Sequence, residues 1–207
     1  MNVTIIGTGN MARGLATRAL AAGYEVTVRG TSGQNAEALA KVLPGPVEIA
    51  SPADPITGDL VILAVPFFAI DTILGAYPGQ FDGKIVIDIT NPVDFSTFTP
   101  ITLDAGSAAG EIAAKAPGAR VVKAFNTTFA GTLSESSVAG QPLDVFIASD
   151  DDDAKQAVSQ FVSAAGLRAV DAGPLARAHE LEALGYLHMT LQGSLGTGFA
   201  STVKILA

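Results

Sequence analysis

The chain has 207 residues, 48% of them hydrophobic and 15% charged, which is too apolar for disorder and fits one domain able to bury roughly two-thirds of its surface. Lys and Arg number 12 against 20 Asp and Glu, and the net charge of −8 disfavours nucleic acid and anionic membrane partners. The absence of cysteine excludes disulfide scaffolds, thiol nucleophiles and iron–sulfur clusters, and two histidines leave little for zinc, so redox chemistry would need a borrowed cofactor.

The mean hydropathy is +0.40, yet the longest apolar run, Leu60 to Ile70, is short of the roughly 20 residues that span a bilayer and contains Pro66. The N-terminus lacks a basic leader and a cleavable small-residue site, so a cytoplasmic location is expected, and the sequons at Asn2 and Asn126 predict no glycan.

In chain order, apolar runs predict strands at Asn2–Ile6, Glu25–Arg29, Val47–Ile49, Leu60–Val65, Lys84–Ile89, Arg120–Phe125, Asp144–Ala148 and Arg168–Val170. Ala-rich helical stretches separate them. The alternation predicts an α/β chain with a mostly parallel, doubly wound sheet of the Rossmann type. After the first strand, Ala12, Leu15, Ala16, Ala19 and Leu20 share one helical face that Gly23 terminates. A second helix spans Asp153–Ala165 and stops at Gly166, with the acidic run Asp150–Asp153 capping its start. The longest helix is predicted over Ala176–Gln192. A glycine-rich piece, Gly193–Gly198, then leads to a strand-like Thr202–Leu206.

The strongest motif is Gly7-Thr8-Gly9-Asn10-Met11-Ala12, a G-x-G-x-x-A that leaves a strand and opens a helix. Gly7 suits the tight turn, Gly9 leaves a pyrophosphate unobstructed, and Ala12 lets helix and strand pack closely. Free N–H groups at the helix start, including those of Thr8, Asn10 and Met11, would face the phosphates. At the end of the second strand the chain reads Arg29-Gly30-Thr31-Ser32, with no acid for a ribose 2′-hydroxyl before Glu37. A cation and two hydroxyls there favour NADP, with Arg29, Thr31 and Ser32 assigned to the 2′-phosphate. Ala64-Val65-Pro66 and Asn91-Pro92 end the fourth and fifth strands, where open α/β sheets bind ligands, and are expected around the ribose and nicotinamide.

Neither a G-x-S-x-G elbow nor a P-loop is present, His179 and His188 form no metal spacing, and no general acid or base is evident. Only one long helix and a tail follow the Rossmann unit, leaving little room for a substrate domain. A flat second redox coenzyme suits that arrangement better than a small enclosed substrate. The competing reading is a non-catalytic NADP-binding sensor or partner-binding module.

Across nearly its whole length the chain resembles the NADPH-dependent F420 reductases and the related N-terminal domain of the Steap metalloreductases. The likeness rests on Gly7–Ala12, Arg29–Ser32, Ala64–Pro66, Asn91-Pro92, Val122–Thr127 and Asp171–Leu175 with the following Leu181-Glu182. It implies hydride transfer between NADPH and a flavin or deazaflavin ring, F420, FMN or FAD, stacked on the nicotinamide. It also implies Ala124, Phe125 and Asn126 near that ring, with the C-terminal helix and tail on the acceptor side. Where the deazaflavin enzymes carry a histidine in the sixth-strand turn, this chain has Phe125-Asn126-Thr127 and is similar to the Steap-like branch. A homodimer through the apolar C-terminal helix is expected.

Overall fold

In the computed structural model, which describes residues 2–206, eight strands form one twisted sheet: β1 Asn2–Ile6, β2 Glu25–Arg29, β3 Glu48–Ala50, β4 Leu60–Leu63, β5 Ile85–Asp88, β6 Arg120–Lys123, β7 Asp144–Ala148 and β8 Arg168–Gly173. Their spatial order is β8-β7-β6-β5-β4-β1-β2-β3, so the direction of winding reverses between β1 and β4. Strands β3 to β6 in that order pair in parallel, whereas β7 meets β6 antiparallel at Ala148 and Lys123 and then pairs β8 in parallel. The expected doubly wound α/β sheet of Rossmann type is therefore present, with its reversal point at the end of the glycine motif.

Alternation along the strands divides the core into two layers. Leu60, Ile62, Ile85, Ile87 and Val122 face a layer covered by α1 (Asn10–Ala21) and α6 (Asp152–Ala164). Val61, Leu63, Val86 and Val121 face the other, against α3 (Ile70–Ala76) and α4 (Ala108–Lys115). Helix α2 (Gly33–Ala40) follows β2, and α5 (Ala130–Glu135) packs on α1 where a Cβ on Gly14 would stand 3.0 Å from that of Leu133. The Asp150–Asp153 run caps α6 as expected: Asp151 Oδ1 accepts from the Ala154 N–H at 2.9 Å.

Several boundaries differ from expectation for identifiable reasons. Strand β6 ends at Lys123, two residues early, because Phe125 takes a left-handed φ of 62°. The last helix, α7, runs Ala178–Leu195 and is stopped by Gly196 at φ 62°, so Gly193 is helical and does not begin a loop. The predicted Thr202–Leu206 strand is absent. That segment is held by side chains instead: Asp144 accepts from the Ile205 N–H and from Lys204, while Arg168 bonds the Ile205 carbonyl.

Candidate functional site: a dinucleotide groove at the sheet reversal

The groove follows from how β1 ends. Gly7 has φ 130°, and a Cβ there would lie 2.1 Å from the Ala64 carbonyl oxygen, so only glycine lets the β1 and β4 turns touch. Gly9 differs: its φ is an ordinary −79°, and a Cβ added to it would meet nothing within 4 Å. The space beside Gly9 is the room a pyrophosphate needs. Helix α1 begins there with no side-chain cap and no acid in its first turn, so its leading N–H groups point out unpaired by side chains. These features fit a bound dinucleotide.

Two clefts meet over Gly9, Ala64, Val65 and Pro66. One, of about 370 Å³, runs over Gly7, Thr8, Gly30 and Thr31 to Ile73 and Tyr77, which suits an adenosine. The other, of about 320 Å³, extends over Asn10, Met11, Thr90 and Asn91 to Phe67, Phe95 and Met189, the side on which the nicotinamide is expected. No titratable side chain lines this second cleft among the described residues.

The structure brings together Gly7, Thr8, Gly9, Asn10, Met11, Thr31, Ala64, Val65, Pro66 and Asn91 along this groove. Arg29 requires correction. It touches the adenosine-side cleft, but it is 1% exposed, and its guanidinium is spent on the loop after β3. It donates to the carbonyls of Ser51, Asp54 and Pro55 at 2.7–2.8 Å and to the Tyr77 hydroxyl at 3.2 Å, and lies over the Tyr77 ring. It builds the cleft wall and is not a free phosphate ligand. Ser32 caps α2, accepting from the Asn35 N–H at a long 3.4 Å.

The sixth-strand turn also differs from expectation. Ala124 and Phe125 are fully buried, with the Phe125 ring packed on Phe161, so neither side chain reaches the groove. Asn126 is a brace: its Nδ2 donates to Asn91 Oδ1 at 2.9 Å and to the Leu181 carbonyl at 2.7 Å, while Asn91 Nδ2 donates to the Asn126 carbonyl. Helix α7 approaches this pair so closely that a Cβ on Gly185 would stand 2.7 Å from Asn91 Oδ1. Pro92 faces a separate cavity beside Tyr186. The tail after Gly193 lies away from the groove, tied to the far side of α7 through His188, Gln192 and Ser201. The C-terminal contribution to the groove comes instead from Met189 on the helix itself.

Beneath the nicotinamide-side cleft lies a buried ionic group. Register pairs Asp88 with Lys123, and Lys123 Nζ donates to Asp88 at 2.8 Å, to Glu182 of α7 at 2.6 Å and to the Thr90 carbonyl at 2.5 Å. Asp88 Oδ1 also accepts from the Thr90 N–H, so the backbone of this cleft residue is gripped at both ends. Glu182 accepts from the Ala108 N–H with both oxygens. Burial raises its carboxyl above the usual range, against the opposing pull of Lys123. Sequence reasoning gave these three residues no role, although Lys123 and Glu182 lie in motifs that carry the resemblance and Asp88 is a lone charge inside Ile85–Ile89. His188 is buried, its Nδ1 on the Thr127 carbonyl and its ring against Phe129, and burial lowers its pKa.

Fold and groove together define a dinucleotide-binding protein of the Rossmann class, and its relatives make it an NADP-dependent oxidoreductase. The family model described as "NADP oxidoreductase coenzyme F420-dependent" matches residues 2–92. The F420-dependent NADP reductase of Methanothermobacter thermautotrophicus is 33% identical over 92% of this chain and 89% of its own length. A solved protein from Arthrobacter sp. FB24, assigned as an F420 dependent NADP-reductase, superimposes with a TM-score of 0.82 at 31% identity, covering 99% of both chains. Metalloreductase STEAP3 of Rattus norvegicus is 31% identical over 88% of this chain, which spans 36% of that protein's length. The chain belongs to the F420-dependent NADP oxidoreductase family. No helix among its described residues is long and apolar enough to cross a membrane.

Proposed function

We propose that the protein transfers a hydride between NADP(H), laid across the two clefts, and a flavin or deazaflavin ring stacked on the nicotinamide. The observation that carries this reading is the composition of the nicotinamide-side cleft. It is walled by Phe67, Phe95 and Met189 and contains no acid or base. Such a wall accepts a flat ring and excludes water, and hydride exchange between two rings needs alignment at about 3–3.5 Å and no protein proton donor. When bound, NADPH supplies the hydride. Val65 and Pro66 set the floor between the clefts, and the Asp88–Lys123 group fixes Thr90 at its rim.

Among ring acceptors, F420 has the support of the family and of the relatives' names, while FMN and FAD share its flat tricyclic shape and its capacity to accept a hydride. Stopped-flow mixing of the protein with NADPH and each of F420, FMN and FAD under nitrogen tests the reading. Reduction of at least one ring at a rate saturating in ring concentration is expected, and tight NADPH binding with no ring reduced or bound would defeat it. The same proposal includes a homodimer built on α7, whose Leu187, Leu191 and Leu195 recur every four residues on an exposed face. Sedimentation of Leu191→Glu should then show a monomer where the parent protein is a dimer.

A further inference from the structure

With Arg29 withdrawn into the wall, the groove needs another cation if it is to distinguish NADP from NAD. We infer that Arg13, on the second turn of α1, is the residue that selects the 2′-phosphate. This rests on the dinucleotide reading above.

Arg13 is exposed, and its guanidinium has no ion pair or hydrogen bond with any described residue. It lines a hollow of about 290 Å³ between the starts of α1 and α2, together with Thr8, Gly9, Asn10 and Asn35. Thr8 and Gly9 belong equally to the adenosine-side cleft, so the hollow opens from that cleft where the ribose would lie. The junction is tight: a Cβ on Gly30 would stand 2.9 Å from Thr8 Cγ2, which brings the turn after β2 against the glycine motif. No acidic side chain lines it. In a chain of net charge −8, an unopposed guanidinium sharing a hollow with the Thr8 hydroxyl and the Asn35 amide is an anion site in its chemistry. A phosphate on the ribose 2′ position fits it; a 2′-hydroxyl would leave Arg13 in solvent, where its loss changes little.

The test is calorimetric titration of the full chain with NADP+ and NAD+. Arg13→Ala should weaken NADP+ by about 10- to 100-fold, as loss of a charge-assisted hydrogen bond implies, and leave NAD+ within about two-fold. Arg13→Lys should retain an intermediate affinity for NADP+. Arg29→Ala should lower the melting temperature and weaken both nucleotides alike. An unchanged NADP+ affinity in Arg13→Ala, or a selective NADP+ loss in a folded Arg29→Ala, overturns the assignment. A parent protein that binds neither nucleotide would instead defeat the dinucleotide reading on which it rests.

Discussion

Helices α1 and α4 begin in the same way geometrically and end up with opposite chemistry at their N-termini. At α4 the chain supplies its own anion: Ser107 Oγ accepts from the Gly110 N–H at 3.0 Å, and the Glu182 carboxylate takes the Ala108 N–H, all of it buried. At α1 no side chain caps the helix, Gly9 is exposed, and the space in front is empty. A helix N-terminus carries partial positive charge and unpaired donors, and these must be met from somewhere. Filling one terminus internally ties α4, α7 and the sheet together. On the reading proposed above, leaving the other open reserves it for a phosphate.

The sharpest way to break this contrast is to give α1 an anion of its own. Gly9 already has the extended backbone of an N-cap residue, and a Cβ there meets nothing within 4 Å, so Gly9→Asp should fold normally. Its carboxylate would cap α1, adding a few tenths to about 1 kcal/mol of stability. NADP+ affinity should fall by at least about 100-fold, roughly 3 kcal/mol, because the phosphate's site is occupied by like charge. Calorimetry and urea unfolding on one variant read both effects. A variant that binds NADP+ normally would mean that the phosphates lie elsewhere.

At least as large is the effect of removing the cation that Glu182, the carboxylate at the α4 terminus, is paired with. Lys123→Met leaves Asp88 and Glu182 facing each other without compensation in a fully buried site. Breaking a buried ionic group by deleting one partner costs about 3–5 kcal/mol. Urea denaturation should show a loss of that order, and an unchanged midpoint would show that the group is neutral in the native state.

Much of this was legible in the chain itself, and the part that was not has a physical reason. The parallel strands and the G-x-G-x-x-A turn are local patterns, apolar runs of four or five residues and glycines at fixed spacing, and the structure places them as expected. Arg29 was read as a ligand because it ends β2. Its true partners are the carbonyls of Ser51, Asp54 and Pro55, more than twenty residues away in an irregular loop that carries no pattern. Phe125 and Asn126 were placed at the ring on the strength of the family resemblance, yet one residue in a left-handed conformation turns the chain inward. Asp88 and Lys123 announced themselves as charges in buried strands. In α7 the resemblance singled out Leu181-Glu182, but nothing local told that Glu182 would be buried against Lys123 while Glu180 is exposed and paired with Arg177.

Acid titration sharpens the comparison with a third carboxylate that serves the backbone. Asp144 is buried, a cost that is more than offset by Arg168, Lys204 and the Ile205 N–H, and its pKa falls from 3.8 to about 2. A depressed value means stability present above pH 3.8 and lost as the pH falls toward 2, about 2 kcal/mol in all. Glu182 has the opposite sign. With its pKa raised above 4.5 by burial, facing Lys123 and Asp88, it favours folding more as the pH falls through its folded value. Urea midpoints from pH 7 to 2 should therefore lose an acid-limb component in Asp144→Asn and a component above pH 4.5 in Glu182→Gln. The two variants losing the same component would contradict these opposite signs.

The smallest expected effect compares two serine caps. Ser107 Oγ lies 3.0 Å from the Gly110 N–H in a buried setting, so Ser107→Ala should cost about 1 kcal/mol of stability, although Glu182 keeps the neighbouring N–H satisfied. Ser32 Oγ stands 3.4 Å from the Asn35 N–H, outside the usual hydrogen-bond range, and its removal should cost no more than about 0.5 kcal/mol. The order should reverse when ligand affinity is measured. A hydroxyl held so loosely by its own helix is free to turn toward a phosphate over the β2–α2 turn, so Ser32→Ala should weaken NADP+ by about three- to ten-fold while Ser107→Ala leaves it unchanged. If Ser32→Ala instead destabilises the fold as much as Ser107→Ala and binds NADP+ normally, then α2 is closed like α4, and among the helix starts bordering the groove only α1 is left open.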